Sequence, residues 1–512
     1  MFHKENSIKG ASVILMVTLA LSNVLGVVRD HFLAQKIPTE RLDIYYAAFR
    51  LPDLIFNVLI LGSIAAAFVP VYSKYIKEKG EKEANEMAQA TISIGLAAVI
   101  LALIVLFFLM PNLMNLLVPS FDYVKKLDTI RMARWLLLSP LFFTVSYFLG
   151  GMLNARKRFL AYSIAPLVYN LSIIVSVLLF SSKYGVGGVV VGVVAGAFLH
   201  MLVQLPAAIK IGLKIGLRFD FANQGVRRII KLMIPRAIGL GANQILLFTY
   251  TGFASVVPGA IAIYNLTDNI QTVPSVIFGS SLATAIFPTL AGLSIADSEE
   301  KKKFQFFFNR SIRVALFFLI PSTAFFFVLR AQIIRLILGY GFFSWSDTKM
   351  ASATLGFFVL SVVAQGLVPI LARSFYAMHD TRTPMKISVI SILVSIVTGY
   401  ILSRPGVFAT GPVAGLALAF SIGSWLNLIL LAIYIRDKIN IDLKDLFLHV
   451  LILCVIALVA STVMQLVKDS IGHMYDINRV RFLLVQAAIS ISAGVITYLA
   501  TSWVFGVKEI RS

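Results

Sequence analysis

The chain has 512 residues, 59% of them hydrophobic and 13% charged, with a mean hydropathy of +0.88. A soluble protein carries about 25% charged residues, so this composition excludes a soluble globular domain and points to a polytopic membrane protein. The formal net charge is +21. Its Lys and Arg residues cluster in short loops between apolar runs without interleaved aromatics, which excludes nucleic-acid binding and leaves a topological signal addressed to the membrane.

The apolar runs average about 20 residues, the length of a membrane-crossing helix and not of the roughly 10-residue alternating strands of a barrel. The first run starts near Ala11 and passes into Arg29 and Asp30 with no small-residue cleavage site, so it reads as a retained helix and not a signal peptide. Apolar length predicts about 14 spans, near residues 11–35, 43–74, 87–118, 129–154, 158–182, 184–212, 226–256, 260–293, 306–330, 350–378, 384–403, 409–435, 446–468 and 480–506. The predicted fold is all-α. Loops between spans are short, about 20 residues at most, which leaves no extramembrane domain to host chemistry.

The loops alternate in charge. Lys74 to Lys82, Arg156 to Arg158, Lys210 to Lys231, Lys301 to Lys303, Arg382 with Lys386, and Arg436 to Lys444 form the basic set, whereas the loop near residues 256–259 has no charge. The bias of cations toward the cytoplasm places both termini there, with an even number of spans.

A faint internal repeat pairs LNARKRF at 153–159 with SFYAMHDTRTP at 374–384, each a helix end, a basic turn and a new helix start. The pair predicts two parallel six-helix lobes, over 1–215 and 216–440, followed by two appended helices over 441–512.

Charges inside the first two spans carry the functional signal. A charge in hydrocarbon costs at least about 2.5–3.5 kcal/mol on insertion scales, so it marks a polar interior. Arg29 and Asp30 close span 1. Asp43, Arg50 and Asn57 recur every seven residues along one face of span 2, and Asp53 lies beside that stripe. A helix–helix hydrogen-bond seam is the alternative use of such a stripe. Span 8 concentrates Asn265, Thr267, Asp268, Asn269, Gln271 and Thr272 ahead of Pro274, and span 7 adds Arg236, Asn243 and Gln244. Polar, kinked helices near the midplane are where transporters place substrates. Spans 1, 2, 7 and 8 are therefore expected to line a polar cavity.

Catalysis and cofactors find no support. The sequence has no GxSxG, HExxH or Walker A pattern and no paired carboxylates on a loop, so no catalytic residue is assigned. Six scattered histidines and the single Cys454 show no metal-ligand spacing and allow no intrachain disulfide, so neither a metal nor a cofactor is expected. Asp380 with Thr383 is a candidate cation site, with helix capping ahead of Pro384 as the alternative.

The segments SNVLGVVRD (22–30), LDIYYAAFRLPDL (42–54), GSIAAAFVPVYSKY (62–75), IYNLTDNIQTVPSVIFGSSLATAIFPTL (263–290) and RSFYAMHDTRTPMKI (373–387) together resemble the MurJ/MviN family of lipid II flippases. That family lies within the multidrug, oligosaccharidyl-lipid and polysaccharide exporters. The likeness runs in order across nearly the whole chain. It implies a transporter and not an enzyme, in the bacterial cell (inner) membrane. The implied cargo is the lipid-linked peptidoglycan precursor, moved between leaflets for cell-wall synthesis. It also implies a cationic cavity for the pyrophosphate and a groove at the last two helices for the lipid tail. Membrane lipid, and with it the cell-wall synthesis machinery, are the implied partners of a monomer.

Residue by residue, the resemblance carries over Arg29, Asp30, Asp43 and Arg50. It departs where the family has arginines and this chain has Asn23, Asn57 and Asn269, the last beside Asp268. Arg236 is a candidate replacement for the lost charge. These departures keep two alternatives open: a flippase for another polyprenyl-linked saccharide, and a multidrug-type antiporter. With no nucleotide motif, alternating access driven by the membrane potential is expected, with a lateral gate between spans 1 and 8.

Overall fold

The computed structural model describes residues 8–61, 67–293, 297–404, 406–408, 411–439, 443–474 and 480–510. Some helical side chains within these stretches, those of 234–240 among them, lie outside the description. Among the described residues there are helices and no strands.

The order begins with α1 (Ile8–Lys36), α2 (Thr39–Ile55), a π-helical segment π1 (Phe56–Leu61), α3 (Val69–Leu117), α4 (Tyr123–Leu136) and α5 (Leu138–Ala155). It continues with α6 (Phe159–Tyr184), α7 (Val186–Lys210), α8 (Gln224–Ala254), α9 (Ala260–Pro274), π2 (Ser275–Ser280) and α10 (Ser281–Ala291). The chain then runs through α11 (Ser298–Ile337), α12 (Trp345–Phe358), α13 (Val362–Ala377), α14 (Arg382–Leu402), α15 (Pro412–Ile439), α16 (Leu443–Met474) and α17 (Val480–Val504). Among the described residues, eleven helical stretches are long and apolar enough to cross a membrane. The chain is thus a multi-pass membrane protein. Helices α1, α2 and α8 stand where the sequence predicts spans 1, 2 and 7.

Several boundaries differ from the predicted spans for identifiable reasons. The end of span 2 and all of span 3 merge in α3, which turns at Gly80 with φ of 88°, a conformation that suits glycine. Span 4 breaks into α4 and α5 at Leu137. Pro140 lies three residues on, cannot donate to the carbonyl four residues back and clashes with it, so the helix bends there.

The chain forms two compact units, Met1–Ala262 and Ile263–Ser512. Helix α8 lies in the first unit, where it packs on α3 and π1. Within that unit α6 pairs with α7 and α1, and α5 lies against α7 and α3. In the second unit α14 pairs with α15, α16 with α17, and α13 packs on π2.

The same local devices recur in the two units. The turn after α5 and the turn after α13 carry the only described non-glycine residues with positive φ, Lys157 (56°) and His379 (58°). Both turns close the helix with the same bonds: the Arg158 N–H donates to the Leu153 carbonyl at 2.8 Å, and the Asp380 N–H to the Phe375 carbonyl at 2.9 Å. This is a Schellman C-cap in each case. These are the two turns paired in the sequence. Likewise α2 and α9 each contain a proline (Pro52, Pro274) and then widen into π1 and π2. The α6–α7 and α14–α15 hairpins both close on small residues. Gly192 of α7 faces Ser176 and Ser172, and Gly423 of α15 faces Ser395 and Ser391, each so tightly that an added Cβ would overlap a serine. Close helix approach through small residues is the usual solution in a membrane, where burial of apolar surface between helices gains little.

Candidate functional site

The charged end of α1 is organised by one arginine. The Arg29 guanidinium donates from Nε (3.0 Å) and Nη2 (2.8 Å) to Asp30 Oδ1, and from Nη1 to Asn170 Oδ1 on α6 at 3.2 Å. Asp30 is buried, and Arg29 retains 20% side-chain exposure. Asn170 in turn donates to Ser22 Oγ at 3.4 Å and to the Pro166 carbonyl at 3.3 Å. Asn170 thereby ties α6 to α1.

Arg29 opens onto a cavity of about 290 Å³ inside the first unit, lined also by Asp53, Phe56, Tyr147, Tyr169, Asn170 and His200. The far wall is a buried polar relay. Ser146 Oγ lies 2.7 Å from His200 Nδ1, and Gln204 Nε2 donates to Ser146 Oγ at 2.7 Å. The His200 ring stacks on Tyr147 at 5.7 Å between centroids. The cavity thus has a cation, a carboxylate, phenols and an imidazole within an apolar helix bundle. Such a composition suits a charged, hydrogen-bonding group that must leave water.

The stripe on α2 divides into separate tasks. Asp43 is fully buried and accepts from Lys125 Nζ at 3.0 Å, from the Gly259 N–H at 2.7 Å and from the Ala262 N–H at 3.0 Å. It therefore caps the N-terminus of α9 while pairing with α4, an arrangement favoured by the helix dipole. Arg50 donates from Nε to Thr251 Oγ1 of α8 at 2.8 Å. The Asn57 amide donates to the Asp53 carbonyl at 2.8 Å, satisfying backbone at the change from α to π register. Asn23 Nδ2 is buried without a hydrogen-bond partner among the described residues.

In the second unit, Gln271 Nε2 donates to Asp268 Oδ1 at 2.8 Å, and Gln365 Nε2 of α13 bridges Gln271 Oε1 (2.9 Å) and Ser361 Oγ (2.6 Å). Asn269 is exposed. Arg236 lies on α8, and its side chain is outside the described residues.

Asp380 and Thr383 sit together as predicted. Thr383 donates its N–H (3.0 Å) and hydroxyl (2.8 Å) to the Asp380 carboxylate, and Lys438 Nζ of α15 lies 2.6 Å from Oδ2. An ammonium of the chain itself thus stands beside the carboxylate, in a cap at the start of α14. Partial burial raises the Asp380 pKa, but the bonds from Lys438 and Thr383 outweigh it and hold the carboxyl down at about 2.

Sequence reasoning missed Lys125, Asn170, His200 and Gln365. Each is a polar residue, Lys125 beside Lys126 in the charged stretch ahead of span 4 and the others within apolar runs. Its polarity was visible, but its partner lies on another helix.

A family model described as "Lipid II flippase MurJ" matches residues 39–486. The chain is 30% identical to a probable lipid II flippase MurJ of Rhizobium tropici, over 79% of this chain and 76% of that protein. It is 26% identical to the one from Rickettsia prowazekii, over 97% of each. Among solved structures, it is similar to a lipid II flippase MurJ in an inward closed conformation, with a TM-score of 0.79 at 23% identity over 96% of this chain and 98% of that one. An inward-facing multidrug resistance transporter of the MATE family gives a TM-score of 0.67 at 12% identity, over 84% and 98%. The extent of the model match and the identity to relatives over most of their length establish that the chain belongs to the lipid II flippase MurJ family.

Proposed function

We propose that this chain flips lipid II, the undecaprenyl-pyrophosphoryl disaccharide-peptide, from the inner to the outer leaflet of the bacterial cell membrane for peptidoglycan synthesis. Membership of a transporter family supports this reading, and so does the absence of catalytic motifs in the sequence. The observation that carries it is Arg29, a guanidinium held by Asp30 and Asn170 at the wall of a polar cavity within a helix bundle. A fork of N–H donors fits phosphate oxygens, and pairing with them offsets the loss of hydration as the headgroup crosses.

In this reading both termini are cytoplasmic, and fourteen spans form two six-helix repeats (1–215 and 216–440). The helices after residue 441 bear the lipid tail. The recurring turns, π segments and glycine–serine hairpins support the repeat. Alternating access by the halves, with the membrane potential acting on cavity charge, supplies the motion, at about 2.3 kcal/mol per charge per 100 mV. The protein acts as a monomer that delivers its cargo to the cell-wall synthesis machinery. Arg29, Asp30, Arg50, Asp53 and the Asp268 network serve the headgroup. Asp43 acts by fixing the start of α9, and Asp380 by capping α14.

One observation favours a second reading: asparagines at positions 23, 57 and 269 reduce the cationic charge, which would suit a different polyprenyl-linked saccharide. Expression of the chain in cells depleted of their own lipid II flippase tests the choice. Restored growth with lipid II exposed on the outer face is expected. Membrane-inserted protein that fails to restore either overturns lipid II as the cargo.

A further inference from the structure

Outside the cavity of Arg29, the first unit has an apolar cleft of about 850 Å³ between α3 and the bend joining α4 to α5. Ile104, Phe107, Trp135 and Leu138 line it and are exposed. On a membrane-spanning bundle such a surface faces lipid, so an apolar lining alone means nothing specific. The two arginines in its wall, Arg131 and Arg134, do.

Neither arginine pairs with a carboxylate among the described residues. Arg134 donates from Nε to the Phe107 carbonyl at 3.3 Å, and its guanidinium lies 4.4 Å over the Phe107 ring. The acids of this region are engaged elsewhere: Asp122 caps α4, and Asp128 bonds Arg41 at 3.1 Å. Lys125 is likewise taken, by Asp43. Arg131 and Arg134 therefore remain as positive charge at the mouth of an apolar cleft.

Their depth is set by the helix. From the bend to Ala155, where the basic turn at Arg156 begins, α5 rises about 27 Å, close to the thickness of the hydrocarbon core. Arg131, Arg134 and Trp135 thus stand at headgroup level on the face opposite that turn. Tryptophan is common at this level, but the bias of cations toward the cytoplasm would leave few of them there. A bound anion gives these cations a reason to be present.

We propose that the cleft between α3 and α4–α5 binds an anionic glycerophospholipid. Its acyl chains lie along Ile104, Phe107 and Leu138, and its phosphate sits on Arg131 and Arg134. That these cations stand on the non-cytoplasmic face, which would place the lipid in the outer leaflet, rests on the topology proposed above; the two arginines beside an apolar cleft do not depend on it.

Trp135 is a reporter inside the cleft. The full chain is reconstituted in nanodiscs containing brominated phosphatidylglycerol or, at equal mole fraction, brominated phosphatidylcholine. The Trp135 signal is isolated by difference from Trp135→Phe. Preferential quenching by the phosphatidylglycerol is expected. The preference should fall by about fivefold for each arginine in Arg131→Gln and Arg131→Gln/Arg134→Gln, and persist in Arg131→Lys/Arg134→Lys. Arg131→Gln alone leaves the Arg134–Phe107 contact intact, so its result does not depend on refolding of the cleft. Equal quenching by both lipids in the wild type, or a preference unchanged in the double glutamine variant, overturns the site. Displacement of brominated phosphatidylglycerol by stoichiometric lipid II would make the cleft a station for the cargo and also overturns it. No transport is measured, so a chain that restores growth without lipid preference refutes only the cleft. A chain that shows the preference but fails in depleted cells refutes only the flippase reading.

Discussion

The Lys125 ammonium lies 3.0 Å from the Asp43 carboxylate at a site where Asp43 has no exposure, and the same carboxylate accepts two backbone N–H groups at the start of α9. Three elements far apart in sequence are joined through one anion. Removing one member of a buried pair leaves the other uncompensated, at a cost of about 3–5 kcal/mol. Lys125→Met and Asp43→Asn should each destabilise the protein by about that amount, and the double variant by clearly less than their sum. Thermal unfolding of the four proteins in detergent measures the coupling. Strict additivity would separate Asp43 from Lys125 and return it to the list of headgroup contacts.

Arg29 has a different role in this reading. Arg29→Ala should abolish growth of flippase-depleted cells while the protein still reaches the membrane. Arg29→Lys keeps the charge but not the fork that reaches both Asp30 and Asn170, and should give partial growth. Because Asp30 is buried, Arg29→Ala also strips a carboxylate of its cation. Arg29→Ala/Asp30→Asn should recover stability without recovering transport. Growth at the wild-type rate with Arg29→Ala would remove the cavity from the mechanism.

Gly279 in π2 meets Gly366 of α13 so closely that a Cβ there would lie 2.3 Å from the Gly366 Cα and carbonyl oxygen. Backbone atoms cannot swing aside as a side chain can. Gly279→Ala should force π2 from α13 and cost about 1–3 kcal/mol or more. Gly241→Ala is the control, since nothing lies within 4 Å of a Cβ at that position. Melting temperatures of the two variants provide the comparison, and equal losses would contradict this packing.

The Asp380 carboxyl is held near pH 2, below the value of about 3.9 for a free aspartate. A depressed carboxyl stabilises the fold above its unfolded pKa, and that contribution is lost as pH falls through the folded value. The stability difference between wild type and Asp380→Asn should be constant from about pH 5 to 8 and shrink below about pH 4. Thermal melts across that range test the sign. A difference that varies between pH 5 and 8 would refute the assigned pairing.

The membrane-spanning helices were legible because hydrocarbon imposes a length and an apolar character that appear in order along the chain. The paired turns were legible as well, since each couples a helix end to a basic cluster. The family could also be named from short segments such as GVVRD and FYAMHDTRTP. The polar stripe on span 2 was seen, but its common purpose was not: spacing puts Asp43, Arg50 and Asn57 on one face, whereas their partners Lys125, Thr251 and the Asp53 carbonyl give each a separate task.

The sequence by itself determined that this chain spans a membrane many times, where its charges fall and to which family it belongs. Composition, run length and local motifs carry that information without reference to any distant contact. Only the tertiary structure decided that Asp43 is a buried cap, that Arg29 answers to Asn170, and that Arg131 and Arg134 share a cleft with Phe107. A charge in an apolar segment must find a partner, but its spacing along one helix does not say which other helix supplies it.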